Sequence, residues 1–540
     1  MPPRIDPQDA TNASETTRLL PPAPTASPAP KKRLVSPLIR LYLITLLLST
    51  SFMCTSTTLI YAFRMIICDE QLGKGGDGGG FLDRCSMREV DARSAREVSY
   101  MVTLTTISGC LNLFSTGWLT RKFGVRFSMF FQTFWPSVRV LCQLWGIVDG
   151  TMLGVRVIQL TQLITILGGG AGYILCVNTF AAVLVSPEER TATFGRLQGL
   201  QAFGTALGLV AGGYLGDRFG LPAPFIVAFA LLALSTIISG LFLPYIPPAS
   251  PDESAKSSTG GGFFSPLKIF TPRLVWNGEK ETRWYGLFFI GLGSFVSTFA
   301  TSTIQILLQL ISTAAFGFGP KANGALMSLA ALSRAGFLTL LFPHIIAFGR
   351  KLYSSPTIET LRTHRSQSEE TETPPDHLPD SFAEIQPIQP PFQNDSAIEP
   401  PRPPVPTDEQ HGSAFDLAFL RGSILIDAVL TGCIGFAQTG WHLYLAALVI
   451  PLASGTAPAS KGVVMEMVSP SEQADALQGI ALIETLAMTL TVSVFGAIFA
   501  GLSELGRPFD VFFLNAALAL VAGVILQFAR FPPKNRSSSV

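Results

Sequence analysis

Charged residues are scarce in this sequence, and their scarcity excludes an ordinary soluble protein. Asp, Glu, Lys and Arg together make up 14% of the 540 residues, whereas soluble domains carry about 25%. Hydrophobic residues make up 48% of the chain, and the mean hydropathy is positive. This composition indicates a protein that crosses the membrane many times.

Several features that would indicate other functions are also missing. A net charge of +1 gives no electrostatic basis for binding nucleic acid. The seven cysteines include no CxxC pair of the kind that holds a metal or a redox centre. There is no Gly-x-x-x-x-Gly-Lys-Ser/Thr loop, which argues against an ATP-driven pump. His344 and His442 are isolated, so the sequence indicates neither an enzyme nor a cofactor.

Twelve apolar runs are long enough to cross the bilayer core, which takes about 20 residues. Charged or turn-forming residues bound each run. Numbered in chain order, spans one to twelve are 39–62, 97–118, 127–147, 155–183, 193–215, 222–244, 285–313, 322–347, 417–437, 441–466, 477–502 and 510–530. The sequence therefore predicts an all-α membrane protein with twelve transmembrane helices.

Basic residues in short loops predict the orientation, because cytosolic loops carry an excess of Lys and Arg. Such residues lie before span one, between spans two and three, and after span twelve: Lys31, Lys32, Arg33, Arg40, Arg121, Lys122, Arg126, Arg530, Lys534 and Arg536. The outer loop 64–96 also holds arginines, but they alternate with Asp and Glu. Both termini are therefore expected in the cytosol.

Two polar inserts divide the chain. Residues 245–284 begin with a Ser-, Gly- and Pro-rich stretch typical of a flexible linker, and residues 351–416 are too poor in apolar residues to fold alone. The predicted parts are a disordered cytosolic N-terminal tail 1–38, an N-terminal six-helix bundle 39–244, the cytosolic linker 245–284, a C-terminal six-helix bundle 285–530 that contains the disordered cytosolic insert 351–416, and a cytosolic tail 531–540.

The two bundles share a short sequence match at the same step. Val-Ser-Pro follows span four at 185–187 and span ten at 468–470, and each leads to a Gln-Gly pair, at 198–199 and 478–479. Transporter folds are often built from internal repeats. The match indicates two pseudo-symmetric halves.

The loop between spans two and three resembles a motif of the major facilitator superfamily, Gly-x-x-x-Asp-(Arg/Lys)-x-Gly-(Arg/Lys)-(Arg/Lys). Gly117, Gly124 and Arg126 fit the two glycines and the last basic position, but Arg121 stands where the family has Asp. The resemblance covers all twelve spans. It implies secondary transport of a small molecule by alternating access, with spans one, four, seven and ten lining a central cavity.

In that family the acid of the loop helps to latch the two halves together near helix eleven. Because Arg121 replaces it, we predict a reversed pair in which Arg121 faces Glu472 or Asp475 at the start of span eleven. The alternative is a cytosolic basic residue with no partner. The predicted latch comprises Gly117, Arg121, Gly124, Arg126, Glu472 and Asp475.

A glycine series in span five resembles the Gly-x-x-x-Gly-Pro-x-x-Gly-Gly stretch linked to antiporters of the same superfamily. Leu209 stands where the family has the Pro that supplies a kink. Small residues at this spacing let two helices approach closely in lipid, so helix packing is the better interpretation. The glycines of this packing motif are Gly204, Gly208, Gly212 and Gly213.

The outer loop between spans one and two is similar to that of the proton-coupled folate transporter branch, and the Pro-rich tails look like those of fungal members. Cys68 and Cys85 lie in this loop, on the oxidising side of the predicted topology. A disulfide there would restrain the loop by a few kcal/mol. Two free thiols are the alternative.

Ionisable side chains inside the spans are the leading site candidates, because each costs a few kcal/mol unless it faces a cavity or a partner. Lys461 of span ten and Asn178 of span four each lie eight residues before the Ser of their repeat. We predict that both bind the substrate and that Lys461 holds an anionic group. The alternative for Lys461 is a structural pair with Glu466 or Glu484, or a position at the cytosolic edge.

Asp427 of span nine and Glu484 of span eleven are the candidate proton carriers, since desolvation raises a carboxyl pKa towards physiological pH. A structural pair, such as Asp427 with Arg334, is the alternative. Arg139 of span three and Arg156 of span four are further candidates for anion contact, against a structural role in the outer leaflet.

Gln305 and Gln309 lie on one face of span seven. This face suits contact with a polar substrate, and it equally suits hydrogen bonding between helices. The glycine run 168–172 in span four lacks the strand and Gly-Lys-Ser of a phosphate loop, so we interpret it as a site of close packing or a helix break.

The protein is expected to reside in the plasma membrane. The vacuolar membrane is the alternative, because residues 15–20 match an acidic dileucine sorting signal. The Asn-x-Ser sequons at Asn12, Asn394 and Asn535 all fall on the predicted cytosolic side and should carry no glycan.

Together these features predict a monomeric, proton-coupled secondary transporter of a small polar or anionic organic solute, with no metal and no cofactor. Two alternatives stay open. One is an exporter of amphipathic drugs, toxins or metabolites, and the other is a non-transporting nutrient receptor with the same fold.

Overall fold

The structure is a computed structural model that describes residues 36–72, 88–246, 265–276, 281–316, 318, 320–353 and 409–532. Within these ranges the chain is almost entirely helical. The α-helices are Pro37–Cys54, Ser56–Leu72, Arg88–Phe123, Val125–Asp149, Met152–Leu160, Gly170–Leu184, Pro187–Phe219, Pro222–Phe242, Ser265–Lys268, Gly286–Thr301, Ile304–Phe316, Pro320–Gly336, Phe342–Tyr353, Glu409–Ile434, Gly440–Val449, Thr456–Met467, Gln473–Glu504 and Asp510–Gln527.

These helices confirm the predicted all-α membrane fold, because helical segments cover every one of the twelve spans. Among the described residues, ten helices are long and apolar enough to cross a membrane. Spans three and five are the other two, and they form the helices Val125–Asp149 and Pro187–Phe219. Both carry Gln, Arg and small residues along their length, which lowers their hydropathy without shortening them.

Spans one, four, seven and ten share an interruption near their middle. Span one breaks at Thr55 and span seven between Thr301 and Ile304. Spans four and ten each contain a 3₁₀ segment, Thr161–Ile166 and Ile450–Ala453. Discontinuous helices of this kind are typical of transporter binding sites, and their recurrence at equivalent places supports the internal repeat seen in the sequence.

The glycines of the packing motif bring span five against span one. A Cβ at Gly208 would lie 2.4 Å from the carbonyl oxygen of Thr50, and one at Gly212 would lie 2.1 Å from that of Cys54. Gly204 faces Leu46 and Ser49 in the same way, whereas Gly213 has open space around it. Three of the four glycines therefore permit a close helix contact that no larger residue would allow.

The second part of the linker between the halves is structured, and it follows the Ser-, Gly- and Pro-rich start for which the sequence predicts flexibility. This part forms the short helix Ser265–Lys268 and an antiparallel hairpin of β1 (Arg273–Trp276) and β2 (Glu281–Trp284), with Arg273 opposite Trp284. A Cβ at Gly479 would lie 2.6 Å from the carbonyl oxygen of Pro266. The linker therefore packs against span eleven.

Three helix boundaries lie eight or more residues beyond the predicted spans. Span one continues to Leu72, span two begins at Arg88, and the helix of span nine begins at Glu409, within the last part of the predicted disordered insert. The extensions of spans two and nine are polar, and that of span one, residues 63–72, mixes charged with apolar residues, so hydropathy does not reveal them. The tail 1–35, residues 73–87 with Cys85, the insert 354–408 and the tail 533–540 lie outside the described residues.

Candidate functional site

Lys461 and Glu484 form a buried ion pair between spans ten and eleven. The Lys461 Nζ lies 3.1 Å from Oε2 of Glu484, and the two side chains are 5% and 19% exposed. Lys461 belongs to the helix Thr456–Met467, directly after the 3₁₀ interruption of span ten. The predicted anion-binding residue and one predicted proton carrier are therefore direct neighbours.

Each member of this pair compensates for the charge of the other. A buried cation and a buried carboxylate offset each other's desolvation, and removal of one charge leaves the other uncompensated. Lys461 and Glu484 therefore stabilise each other electrostatically inside the C-terminal half.

The second predicted proton carrier also has a basic neighbour. Asp427 is buried in the helix Glu409–Ile434, and the charge of Arg334 acts on it from the helix Pro320–Gly336. The two ionisable acids in the middle of the C-terminal half are thus each accompanied by a cation. A structural pairing of Asp427 with Arg334 stays a prediction, as does its role as a proton carrier.

The uncharged candidates differ in their exposure. Asn178 is buried in the helix Gly170–Leu184, at the place in span four that corresponds to Lys461 in span ten. Gln305 and Gln309 are both exposed on the segment Ile304–Phe316. Their part in substrate binding stays a prediction.

The structure brings Arg121 and Asp475 together at the predicted cytosolic end of the bundle. The Arg121 Nη1 lies 3.0 Å from Oδ1 of Asp475. One turn away, a Cβ at Gly117 would lie 2.0 Å from Oε1 of Gln478, whose Nε2 donates to the Leu113 carbonyl over 3.1 Å. The end of span two in the N-terminal half thus contacts the start of span eleven in the C-terminal half.

Glu472, the other predicted partner, binds the linker instead of Arg121. Its Oε2 lies 2.9 Å from Nη1 of Arg273 on β1. Burial alone would raise the pKa of Glu472, but the hydrogen bonds and charge of Arg273, with a hydrogen bond from Ser469, hold that pKa below its ordinary value. Glu472 therefore anchors the hairpin to span eleven.

The remaining predicted latch residues act within the N-terminal half. Gly124 has a φ of 84°, a conformation that suits glycine, and it makes the sharp turn between spans two and three. Arg126 donates to the Gly240 carbonyl near the end of span six. Arg421 of span nine likewise donates to carbonyls at the end of span twelve. Arg126 is therefore placed as a helix cap.

A second charged cluster joins the halves, and the sequence reasoning missed it. Arg350, at the end of span eight, donates to both carboxylate oxygens of the fully buried Asp416. Thr191 of span five donates to Asp416 over 2.5 Å, and Glu466 of span ten lies 3.3 Å from Arg350. We name these four residues the Arg350 cluster.

Arg350 also holds the start of span five through the backbone. Its Nη1 donates to the carbonyl of Glu188 over 2.6 Å and to that of Pro187 over 3.4 Å. Gly349 and Arg350 lie at the end of span eight, the place in the C-terminal half that corresponds to the motif loop after span two. A comparison of the two halves could therefore have located this site. Asp416 offered no such signal because it follows a long polar insert.

Charge exchange at Arg121 and Asp475 is expected to show whether the latch operates. Arg121→Glu places two acids together at a half-exposed site, where the lost ion pair is worth about 1 kcal/mol. We therefore expect the transport rate to change about fivefold. Addition of Asp475→Arg should restore the pair and most of the rate. The measurement is a double-mutant cycle on solute flux.

The matched control for this cycle is Lys122→Glu, because Lys122 adjoins Arg121 but stacks on Trp118 and Phe123. An equal effect of Lys122→Glu, or no recovery in the doubly exchanged variant, would mean that the pair does not act as a latch.

The two arginines proposed as alternative anion contacts have different surroundings. Arg156 pairs with the buried Glu97 through two contacts of 2.9 and 3.3 Å, and Gln159 completes the cluster by donating to Glu97 over 2.7 Å. Arg156 therefore has a structural partner. Within the described part of the chain, Arg139 contacts uncharged groups, Thr165 and Gln162, and the ring of Phe52.

The cysteines fall into two groups. Cys54, Cys110, Cys142, Cys176 and Cys433 are free, whereas Cys68 is disulfide-bonded. The predicted partner, Cys85, lies outside the described residues, so its identity stays a prediction.

Comparison with known proteins identifies the family that the sequence matches. Residues 41–353 match a family model described as the Major Facilitator Superfamily. No curated protein gives a significant match to the sequence.

Solved structures share the fold at low identity. The human organic anion transporter TETRAN is 14% identical, with a TM-score of 0.58 over 91% of this chain and 98% of that one. The E. coli fucose:proton symporter is 12% identical, with a TM-score of 0.56 over 92% and 98%. The proton:xylose symporter XylE is 12% identical, with a TM-score of 0.59 over 92% and 95%.

Proposed function

We propose, from the premise that this chain belongs to the Major Facilitator Superfamily, that it is a secondary active transporter. Its substrate is a small polar or anionic organic solute, it works by alternating access, and a proton gradient drives it. The observation that carries this proposal is the buried pair of Lys461 and Glu484.

The pair supplies a simple form of coupling. With Glu484 ionised, Lys461 is neutralised within the protein and has little affinity for an external anion. With Glu484 protonated, Lys461 is left as a buried cation, whose desolvation cost an anionic group of the substrate can offset. A proton and an anion then bind together and are released together, which is symport.

The arrangement of the helices supports alternating access. Spans one, four, seven and ten are interrupted near the middle of the bundle, where such breaks allow side chains and free backbone groups to meet a solute. The Arg121–Asp475 pair and the Arg350 cluster both join the halves at the predicted cytosolic end. Separation of these two contacts would open a path to that side.

The similar structures agree with this class of function by their names. One is an organic anion transporter, and two are symporters of a sugar and protons. At identities of 14% or less they support the fold alone, so they select neither the substrate nor the coupling ion.

The test is uptake by the purified protein in liposomes, with and without an inward proton gradient, across organic acids, folates, sugars and hydrophobic drugs. We expect gradient-driven uptake of an organic acid. Lys461→Ala should lower that uptake about 100-fold, since loss of one partner of a buried charged contact costs about 3 kcal/mol. Lys268→Ala, at an exposed lysine of the linker helix, is the control and should transport normally.

Other outcomes identify the alternatives. Movement of hydrophobic drugs that does not respond to Lys461→Ala would favour the exporter. Saturable ligand binding with no flux of any compound would favour the receptor. Either result would reject the proposed function.

A further inference from the structure

The middle of the N-terminal half holds a positive charge without a matching acid. Arg139 lies in span three, 14 residues along the helix Val125–Asp149, which corresponds to about 20 Å of rise and therefore to the centre of the bilayer. A cation at this depth costs several kcal/mol unless a partner or a cavity compensates for it.

No carboxylate of the N-terminal half is available to Arg139 at this depth. The membrane-spanning stretches of that half contain no Asp or Glu in residues 37–68, 98–148, 150–187, 190–216 and 218–246. Glu97, near the outer end of span two, is occupied by Arg156. The intramembrane acids Asp427 and Glu484 belong to the C-terminal half, and each has its own basic neighbour.

The uncharged contacts of Arg139 leave much of its hydrogen-bonding capacity unused. Its Nη1 donates to Oγ1 of Thr165 over 3.0 Å and to Oε1 of Gln162 over a long 3.5 Å. That same Gln162 oxygen already accepts a hydrogen bond from Thr105. A guanidinium has five N–H donors, and the buried Nε of Arg139 has no hydrogen-bond partner among the described residues.

The surroundings of Arg139 have the form of a ligand site. Arg139 is half-buried within the bundle. Gln162 and Thr165 belong to the 3₁₀ segment that interrupts span four, and the ring of Phe52 from span one lies 5.9 Å from the guanidinium. Three helices and a helix break thus converge on one uncompensated cation.

We propose that Arg139, with Gln162 and Thr165, forms a carboxylate-binding subsite in the N-terminal half, and that the apolar part of the substrate lies against Phe52. The planar guanidinium fork matches a carboxylate in a bidentate contact, and the adjacent ring favours an organic rather than an inorganic anion. This inference rests on the proposed function, and it names the substrate class as organic carboxylates.

The first test uses the ligand-free protein, where a structural role and a binding role predict opposite results. An uncompensated buried charge lowers the stability of the folded protein, and such a residue is kept when the function requires it. Arg139→Gln should therefore leave the apparent Tm unchanged or raise it by about 2 °C in thermal unfolding of the purified protein. A lower Tm for Arg139→Gln would show that Arg139 has a structural partner and would overturn the proposal.

The second test measures binding with two defined probes, benzoate and its uncharged analogue benzamide, at millimolar concentration. Benzoate should raise the Tm of the wild type, and benzamide should not. The benzoate shift should vanish in Arg139→Gln and persist at about tenfold higher concentration in Arg139→Lys, which keeps the charge but loses the fork. Arg218→Gln, at an exposed arginine at the end of span five, should respond as the wild type does.

These measurements separate the subsite from the proposed function because none of them needs flux. A benzoate shift that survives Arg139→Gln, or no shift of the wild type, overturns the subsite even if proton-driven transport is found. A shift that depends on Arg139 supports the subsite, including in a protein that proves to be a receptor.

Discussion

Glu484→Gln is expected to abolish proton-driven accumulation while exchange of substrate across the membrane continues. The amide has the shape of the protonated acid but cannot release a proton, so Lys461, 3.1 Å away in the wild type, keeps its affinity for an anion. The carrier should therefore move substrate down its gradient and swap it between the two sides. The measurement is counterflow of labelled substrate in liposomes, beside uptake driven by a pH step.

The matched control for this variant is Glu504→Gln, an exposed acid at the end of the same helix, which should keep both activities. Full pH-driven accumulation by Glu484→Gln would remove Glu484 from the coupling step. Asp427→Asn would then be tested in the same way, because Asp427 is the other intramembrane acid. Loss of counterflow together with accumulation would instead indicate that Glu484 is needed for substrate binding or folding.

Arg350→Leu is expected to destabilise the protein by about 3–5 kcal/mol, the usual cost of leaving a buried charge without its partner. Asp416 is fully buried and depends on Arg350 and Thr191 for its hydrogen bonds. Glu466 would lose its basic neighbour as well. The measurement is unfolding of the purified protein by heat and by denaturant.

A second change separates lost charge compensation from lost packing. Arg350→Leu combined with Asp416→Leu removes the stranded carboxylate, and such replacement of a buried pair by apolar residues is often nearly neutral. We therefore expect the double variant to recover most of the stability. Arg283→Leu, at an exposed arginine of β2, is the control. A double variant no more stable than Arg350→Leu would show that the pair contributes little through charge.

The membrane fold was predictable from the sequence because each span is a long apolar run that can be recognised by itself. Hydropathy located all twelve helices, including spans three and five, whose polar residues lower the signal. The helix ends were not predictable. The helices that end at Leu72 and begin at Glu409 extend beyond the predicted apolar runs, where charged and polar residues do not distinguish a helix from a loop.

The candidate site was predictable only where a local pattern marked the residues. Lys461 and Glu484 stood out as charges in apolar runs, but their pairing was one of several alternatives until the structure placed them side by side. Arg121 and Asp475 came from a loop motif. The Arg350 cluster has no local signature, because Thr191, Arg350 and Asp416 meet across three spans and a long insert.

The break in span ten bears on how the protein is made. Its two helical segments, Gly440–Val449 and Thr456–Met467, contain 10 and 12 residues, whereas a helix needs about 20 to cross the bilayer. Each segment alone is too short to cross, whereas the whole stretch Gly440–Met467 has 28 residues and is apolar enough to do so. The part of span ten that carries Lys461 therefore has to enter the membrane together with the segment before it, with the break between them included.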